Sequence, residues 1–261
     1  MSGLWAAVWA ETLKARRSRA PLVTALGFCL APAMGGFFMV VLEDPERARR
    51  LGLIGAKAQL TAGTADWPTY LAVLAQATAV GGLLLFGLVA VWVFGREYSL
   101  GTVRDLLALP TPRAAVVSAK FLVVAAWSAA LVVIVFLLGL AIGTAVGLPG
   151  WSAGLALRGF GTVAATAGLT MLLVTPFAFT ASAGRGYLPP IGVMFLVVFL
   201  AQVLAAAGWG PYFPWSVPAL YSGIAGRGGQ QLGGVSYALV ALAGVAGVLG
   251  TFAWWRLADQ T

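Results

Sequence analysis

Six long apolar stretches, at about 21–42, 70–95, 116–146, 160–183, 188–208 and 235–255, are separated by segments in which polar residues, glycine and proline gather. Each comes near or exceeds the roughly 20 residues an α-helix needs to cross a bilayer. Their apolar positions are continuous rather than periodic, so each is predicted to be a membrane-spanning helix. The third is longer than a simple crossing requires. Either it tilts, or its first turns, around Lys120, stand in the cytosol or the headgroup layer.

The first nineteen residues follow a different pattern. On a helical wheel started at Leu4, the residues Leu4, Trp5, Val8, Trp9 and Leu13 cover one half, and Ala10, Glu11, Lys14 and Arg17 the other. This predicts an interfacial helix over 1–19, with its tryptophans at headgroup depth and its basic groups toward the cytosol. Such a helix serves as an anchor for the first span, or as a connecting helix that also touches a cytosolic partner. Periodic apolar residues do not make a cleavable leader, so the first span is expected to act as a retained signal-anchor.

Between the second and third spans, six charged groups fall from Arg96 to Lys120. Read as one helix over 97–109, this segment is amphipathic. Glu97, Gly101, Arg104, Asp105 and Ala108 fall on one side, and Leu100, Val103, Leu106 and Leu107 on the other. Pro110 and Pro112 end it. One face suits a membrane surface or a protein groove, and the other presents charge to a partner.

The loop over 209–234 differs again. Residues 208–221 hold five aromatics (Trp209, Tyr212, Phe213, Trp215 and Tyr221) and three prolines (Pro211, Pro214 and Pro218). Proline interrupts regular structure, and Trp and Tyr favour the membrane interface. A short broken or re-entrant element at the outer mouth, with Pro214, Trp215 and Pro218 as gate residues, fits this composition. So does a plain aromatic belt. The charged loop at 43–69 is longer than a bare connection requires.

Composition fixes the class: 61% of residues are hydrophobic and only 9% charged, against about a quarter charged in ordinary soluble domains. The net charge of +8 does not point to nucleic acid, because the basic residues scatter at segment ends instead of forming a stripe. With the N-terminus inside, the inner side holds Lys14, Arg16, Arg17, Arg19, Arg96, Arg104, Arg113, Lys120, Arg185 and Arg256. The outer side holds Arg47, Arg49, Arg50, Lys57, Arg158 and Arg227. That bias predicts both termini on the cytoplasmic side. Cys29 is the only cysteine, so an intrachain disulfide is excluded and a packing role expected.

The chemistry that is missing narrows the function. The chain has no histidine, which removes histidine triads, imidazole zinc sites and histidine proton relays. It has no phosphate-binding loop ending in Gly-Lys-Ser or Gly-Lys-Thr. The central parts of the spans carry no Asp, Glu, Lys or Arg, the groups that ion-coupled carriers use at mid-depth. Gln76 and Thr78, Thr162, Thr166, Thr170 and Thr175, and Gln202 are the uncharged polar groups within spans. They are expected to bond neighbouring helices, or, for Gln76, Thr78, Thr166, Thr170 and Gln202, to line a substrate path. Glycine ladders at Gly139, Gly143 and Gly147, and at Gly244, Gly247 and Gly250, predict close helix packing.

Three stretches together resemble the type-2 ABC exporter permeases, in the branch that includes bacitracin and lantibiotic self-protection permeases. The first is Glu11, Lys14, Arg16 and Arg17 ahead of a span. The second is Glu97, Gly101, Thr102, Leu106, Leu107, Pro110, Arg113 and Lys120. The third is Pro214, Trp215 and Pro218 before the last span. The resemblance implies an all-helical, six-span permease of a bacterial plasma membrane. It also implies pairing with a second permease subunit and with cytosolic ABC ATPase subunits that bind ATP and Mg; this chain is expected to hold no cofactor itself. By the same resemblance, Glu97, Leu100, Gly101, Thr102, Arg104, Asp105, Leu107 and Arg113 belong to a coupling helix seated in the ATPase. The expected function is ATP-driven export of a hydrophobic or amphipathic compound, such as a peptide antibiotic, drug or lipid. Sodium efflux by a related permease and a non-transporting scaffold or sensor are the alternatives.

Overall fold

A computed structural model describes residues 2–43, 64–108, 110–224 and 230–257, with the side chains of Ser2 and Leu107 left aside. Helix α1 (Ser2–Arg16) leads into α2 (Ala20–Glu43), followed by α3 (Trp67–Ser99), the short α4 (Val103–Leu107) and α5 (Arg113–Val146). Next come α6 (Ala153–Leu173) and α7 (Thr175–Ala183), then α8 (Leu188–Ala206). Two 3-10 turns, a short α9 (Val217–Tyr221) and α10 (Gly234–Leu257) complete the chain. Among the described residues six helices are long and apolar enough to cross a membrane, with α6 and α7 together forming the fourth. The six spans therefore agree with the apolar pattern.

Local chemistry sets the ends of these helices. Asp66 caps α3 by accepting a hydrogen bond from the Thr69 N–H, and Pro68 occupies the first turn, where its missing N–H costs nothing. At the far end of α5, Gly147 takes a left-handed φ of 78° and closes the helix; the glycine-ladder expectation fails at this one position. Gly139 and Gly143 do lie against Leu74 and Trp67, where a Cβ would collide. Gly244 and Gly247 admit Leu172 and the Thr175–Pro176 backbone in the same way.

The fourth span breaks at Val174, ahead of Pro176, because proline removes a helical hydrogen bond. Groups freed there find partners. The Leu173 carbonyl accepts from Trp215 Nε1, and Thr175 Oγ1 donates to the Gly244 carbonyl. Helix α3 is the axis of the bundle, with most of its length buried, whereas α8 is largely exposed on the periphery.

One end of the bundle gathers α1, the end of α3, the start of α5 and the last turn of α10. Tyr98 packs edge-on to Trp255, and Arg113 Nη1 donates to the Trp255 carbonyl at 3.2 Å. The described termini therefore share one end.

Candidate functional site

The charged end of the bundle holds a closed ring of two lysines and two glutamates drawn from three helices. Lys120 Nζ on α5 lies 2.8 Å from Glu97 Oε2 on α3 and 3.2 Å from Glu11 Oε2 on α1. Lys14 Nζ on α1 lies 2.8 Å from Glu97 Oε1 and 2.6 Å from Glu11 Oε1. Each carboxylate thus bridges both ammonium groups, and the four charges cancel. Lys120 also donates to the Val93 carbonyl at 2.7 Å, one turn before Glu97 on the same face.

Burial makes this ring consequential. The side chain of Lys120 is 0% exposed, Glu97 4% and Glu11 6%. An unpaired charge at such depth is strongly unfavourable, and loss of one partner from a buried pair typically costs about 3–5 kcal/mol. Burial works against the charge on Lys14, but the carboxylates of Glu97 and Glu11 outweigh it and raise its pKa above the ordinary 10.5. The ring joins α1 rigidly to the second and third spans.

Several expectations are corrected here. Lys120 is not solvent-facing at the start of its span; it is fully buried against partners from α1 and α3. Glu11 and Lys14, assigned to a solvent-facing half of α1, instead face α3 and α5. The wheel residues exposed within α1 are Leu4, Trp5 and Trp9, all from the apolar half, so that half faces outward and the polar half meets protein. Nor does 97–109 fold as one helix. Helix α3 ends at Ser99, Gly101 takes a φ of 71°, and only Val103–Leu107 is helical afterwards. Glu97 and Arg104 therefore lie on different elements, and Glu97 presents no face to a partner.

What remains at the surface is the segment after the break. Leu100, Gly101, Thr102, Arg104, Asp105 and Arg113 are exposed. The Thr102 N–H donates to the Glu97 carbonyl at 2.9 Å, which hangs this segment directly from the ring residue. Leu107 is helical in backbone, and residue 109 lies outside the described residues.

The mid-span polar residues differ in burial. Thr78, Thr166 and Thr170 are fully buried, and each hydroxyl donates to the carbonyl four residues earlier in its own helix. The expected bond to a neighbouring helix appears instead at Thr175. Gln76 is half-buried, and Gln202 is exposed on α8 beside Trp215. Pro214, Trp215 and Pro218 lie in a folded-back element of short turns, secured by the Trp215 bond to Leu173 and by Ser216 Oγ donating to the Ala201 carbonyl. Residues 44–63, which carry most of the charged loop, and 225–229, which include Arg227, lie outside the described residues.

The sequence reading missed the ring itself, although Glu11, Lys14, Glu97 and Lys120 all belong to the stretches that carry the family resemblance. Spacing along the chain gave no reason to join them.

Six apolar spans around a buried α3, with a charged joint and an exposed segment at one end, define a multi-pass membrane protein. The profile of the ABC-2 family transporter proteins matches residues 7–201, well over half of the chain, and the chain belongs to that family. It is also similar to the bacitracin transport permease protein BCRB of Bacillus licheniformis, 25% identical over 135 residues. That match covers 52% of this chain and 65% of the relative, so less than two thirds of the relative's length is spanned. No solved structure shows a significant match.

Proposed function

We propose that the chain is the membrane-spanning permease subunit of an ATP-driven exporter that moves a hydrophobic or amphipathic compound out of a bacterial cell. It lies in the plasma membrane with both termini in the cytoplasm, and α1 rests at the inner interface. Cytosolic ABC ATPase subunits carry the ATP and Mg, and a second permease subunit completes the pathway. The first compound to test is a peptide antibiotic of the bacitracin kind, by analogy with the relative.

The observation that carries this reading is the attachment of the exposed residues Leu100, Gly101, Thr102, Arg104 and Asp105 to the buried ring. A partner that moves this segment acts on the Glu97 carbonyl, and through the ring on α1, α3 and α5 together. Interfaces with discrete packings transmit such displacements, whereas a loop unattached to the bundle would absorb them. Arg104 and Asp105 on the segment supply charges of both signs for docking.

The test is purification from the native host with the neighbouring ATPase, followed by ATP hydrolysis and antibiotic survival assays. Export function requires an ATPase partner in stoichiometric amount and hydrolysis stimulated by the compound. A chain that purifies alone and confers no survival would make it a scaffold or sensor instead.

A further inference from the structure

Between α1, the start of α2 and α5 lies a groove of about 680 Å³, the size of a small-molecule site. Its α1 wall is a ladder at four-residue spacing, Leu4, Val8, Thr12 and Arg16, so all four share one face of that helix. Its α5 wall includes Leu122, Ala126 and Ala130, which rise about 12 Å at 1.5 Å per residue. These three belong to a membrane span. One wall of the groove is therefore hydrocarbon-like, and the other changes along α1 from apolar to polar and then to charged.

The charge in this wall is unanswered. Arg16 both lines the groove and is exposed, so a ligand seated there reaches it. Arg17 and Arg19 follow within three residues, and among the described residues none of the three arginines forms an ion pair. The acid of α1, Glu11, cannot serve them, because its oxygens are held by Lys14 and Lys120. Trp127, also in the wall, already donates its Nε1–H to Thr24 Oγ1 at 3.2 Å, so its ring offers the groove an apolar surface.

We propose that this groove binds one anionic phospholipid, with its phosphate on Arg16 beside Thr12 and an acyl chain against Leu122, Ala126 and Ala130. Arginine suits the headgroup, since its planar fork matches two phosphate oxygens at once. Basic residues clustered where a helix meets the membrane attract anionic lipid, and Arg17 and Arg19 add to that field. A soluble phosphate would leave the apolar wall uncovered, and an uncharged lipid would leave the arginines unanswered. The site requires a bilayer around the spans, and neither the direction nor the cargo of transport.

The experiment is native mass spectrometry of the purified full chain, titrated separately with phosphatidylglycerol, diacylglycerol of the same acyl chains, and glycerol phosphate. One phosphatidylglycerol per chain is expected to bind, with the other two probes about five- to tenfold weaker or more, the scale of one basic residue at a membrane surface. Arg16→Gln should weaken phosphatidylglycerol by a similar factor and leave diacylglycerol unchanged. Ala126→Phe, at an exposed position in the wall, should weaken both lipids. Arg158→Gln, an exposed arginine outside the groove, should weaken neither. Equal binding of diacylglycerol or glycerol phosphate overturns the proposal, as does undiminished phosphatidylglycerol binding in Arg16→Gln or an equal loss in Arg158→Gln. Loss of a dimer rather than of lipid in Ala126→Phe would give the groove to a second copy of the chain and overturn it too.

Discussion

Lys120 and Glu11, separated by 109 positions in the chain, face each other at 3.2 Å in the interior of the charged end. Their meeting closes the ring begun by the Lys120–Glu97 and Lys14–Glu97 pairs. An N-terminal helix that could have lain loosely on the bilayer is thereby fastened to two spans.

The ring predicts a non-additive mutant series. Lys120→Met leaves two carboxylates facing one ammonium group, and should cost about 3–5 kcal/mol of stability. Adding Glu97→Gln restores neutrality, because Glu11 and Lys14 remain as a pair at 2.6 Å. The double variant should therefore recover roughly 0.5–3 kcal/mol relative to the sum of the singles. Thermal unfolding in detergent measures this, and strict additivity would show that the four groups act separately.

Lys14 predicts an alkaline weakening. Its folded pKa is raised, so its contribution to stability is complete below the ordinary lysine value of 10.5 and is lost as pH rises through the higher folded value. The unfolding midpoint of the wild type should fall over that window more steeply than that of Lys14→Met. Parallel curves for the two proteins would remove Lys14 from the account.

Coupling should reside in the exposed segment rather than in Glu97. Arg104→Glu and Asp105→Lys alter surface positions, where substitutions usually stay within about 0.5 kcal/mol, so expression should remain near normal. On the proposed function, both should abolish compound-stimulated ATP hydrolysis by the assembled complex. Arg158→Glu, exposed at the start of α6, is the control and should leave hydrolysis intact. Full export by both segment variants would sink the docking role.

Helix packing gives a contrast between two glycines. Gly247→Val forces a side chain into the backbone at Thr175 and Pro176, and overpacking of this kind costs about 1–3 kcal/mol. Gly161→Ala, on α6 with open space around it, should stabilise slightly through the better helix propensity of alanine. Melting temperatures that move in the same direction for both would contradict the close approach of α10 to the break in the fourth span.

Sidedness is checked by thiol labelling in intact cells. After Cys29→Ala, single cysteines at Ser18 and Ser99 should resist an impermeant reagent, and one at the exposed Thr64 should react. Labelling of Ser99 from outside would invert the proposed orientation and separate Arg104 and Asp105 from any cytosolic ATPase.

The sequence by itself determined the six spans, because a stretch of about 20 apolar residues has one stable solution in lipid. A helix end was legible where the signal was local, at the prolines 110 and 112. Periodicity could also divide α1 into two halves, but it could not say which half met protein. That answer needed Glu97 and Lys120, which lie 83 and 106 positions beyond Lys14 and are invisible to any wheel drawn on one helix. Tertiary structure likewise decided the fate of 97–109, where an amphipathic period suggested one continuous helix. Glu97 is held inward by two lysines, while Arg104 is free to face solvent, and Gly101 in a left-handed turn lets the chain serve both demands. Opposite charges withdrawn from water must find each other, and only the folded chain brings them within reach.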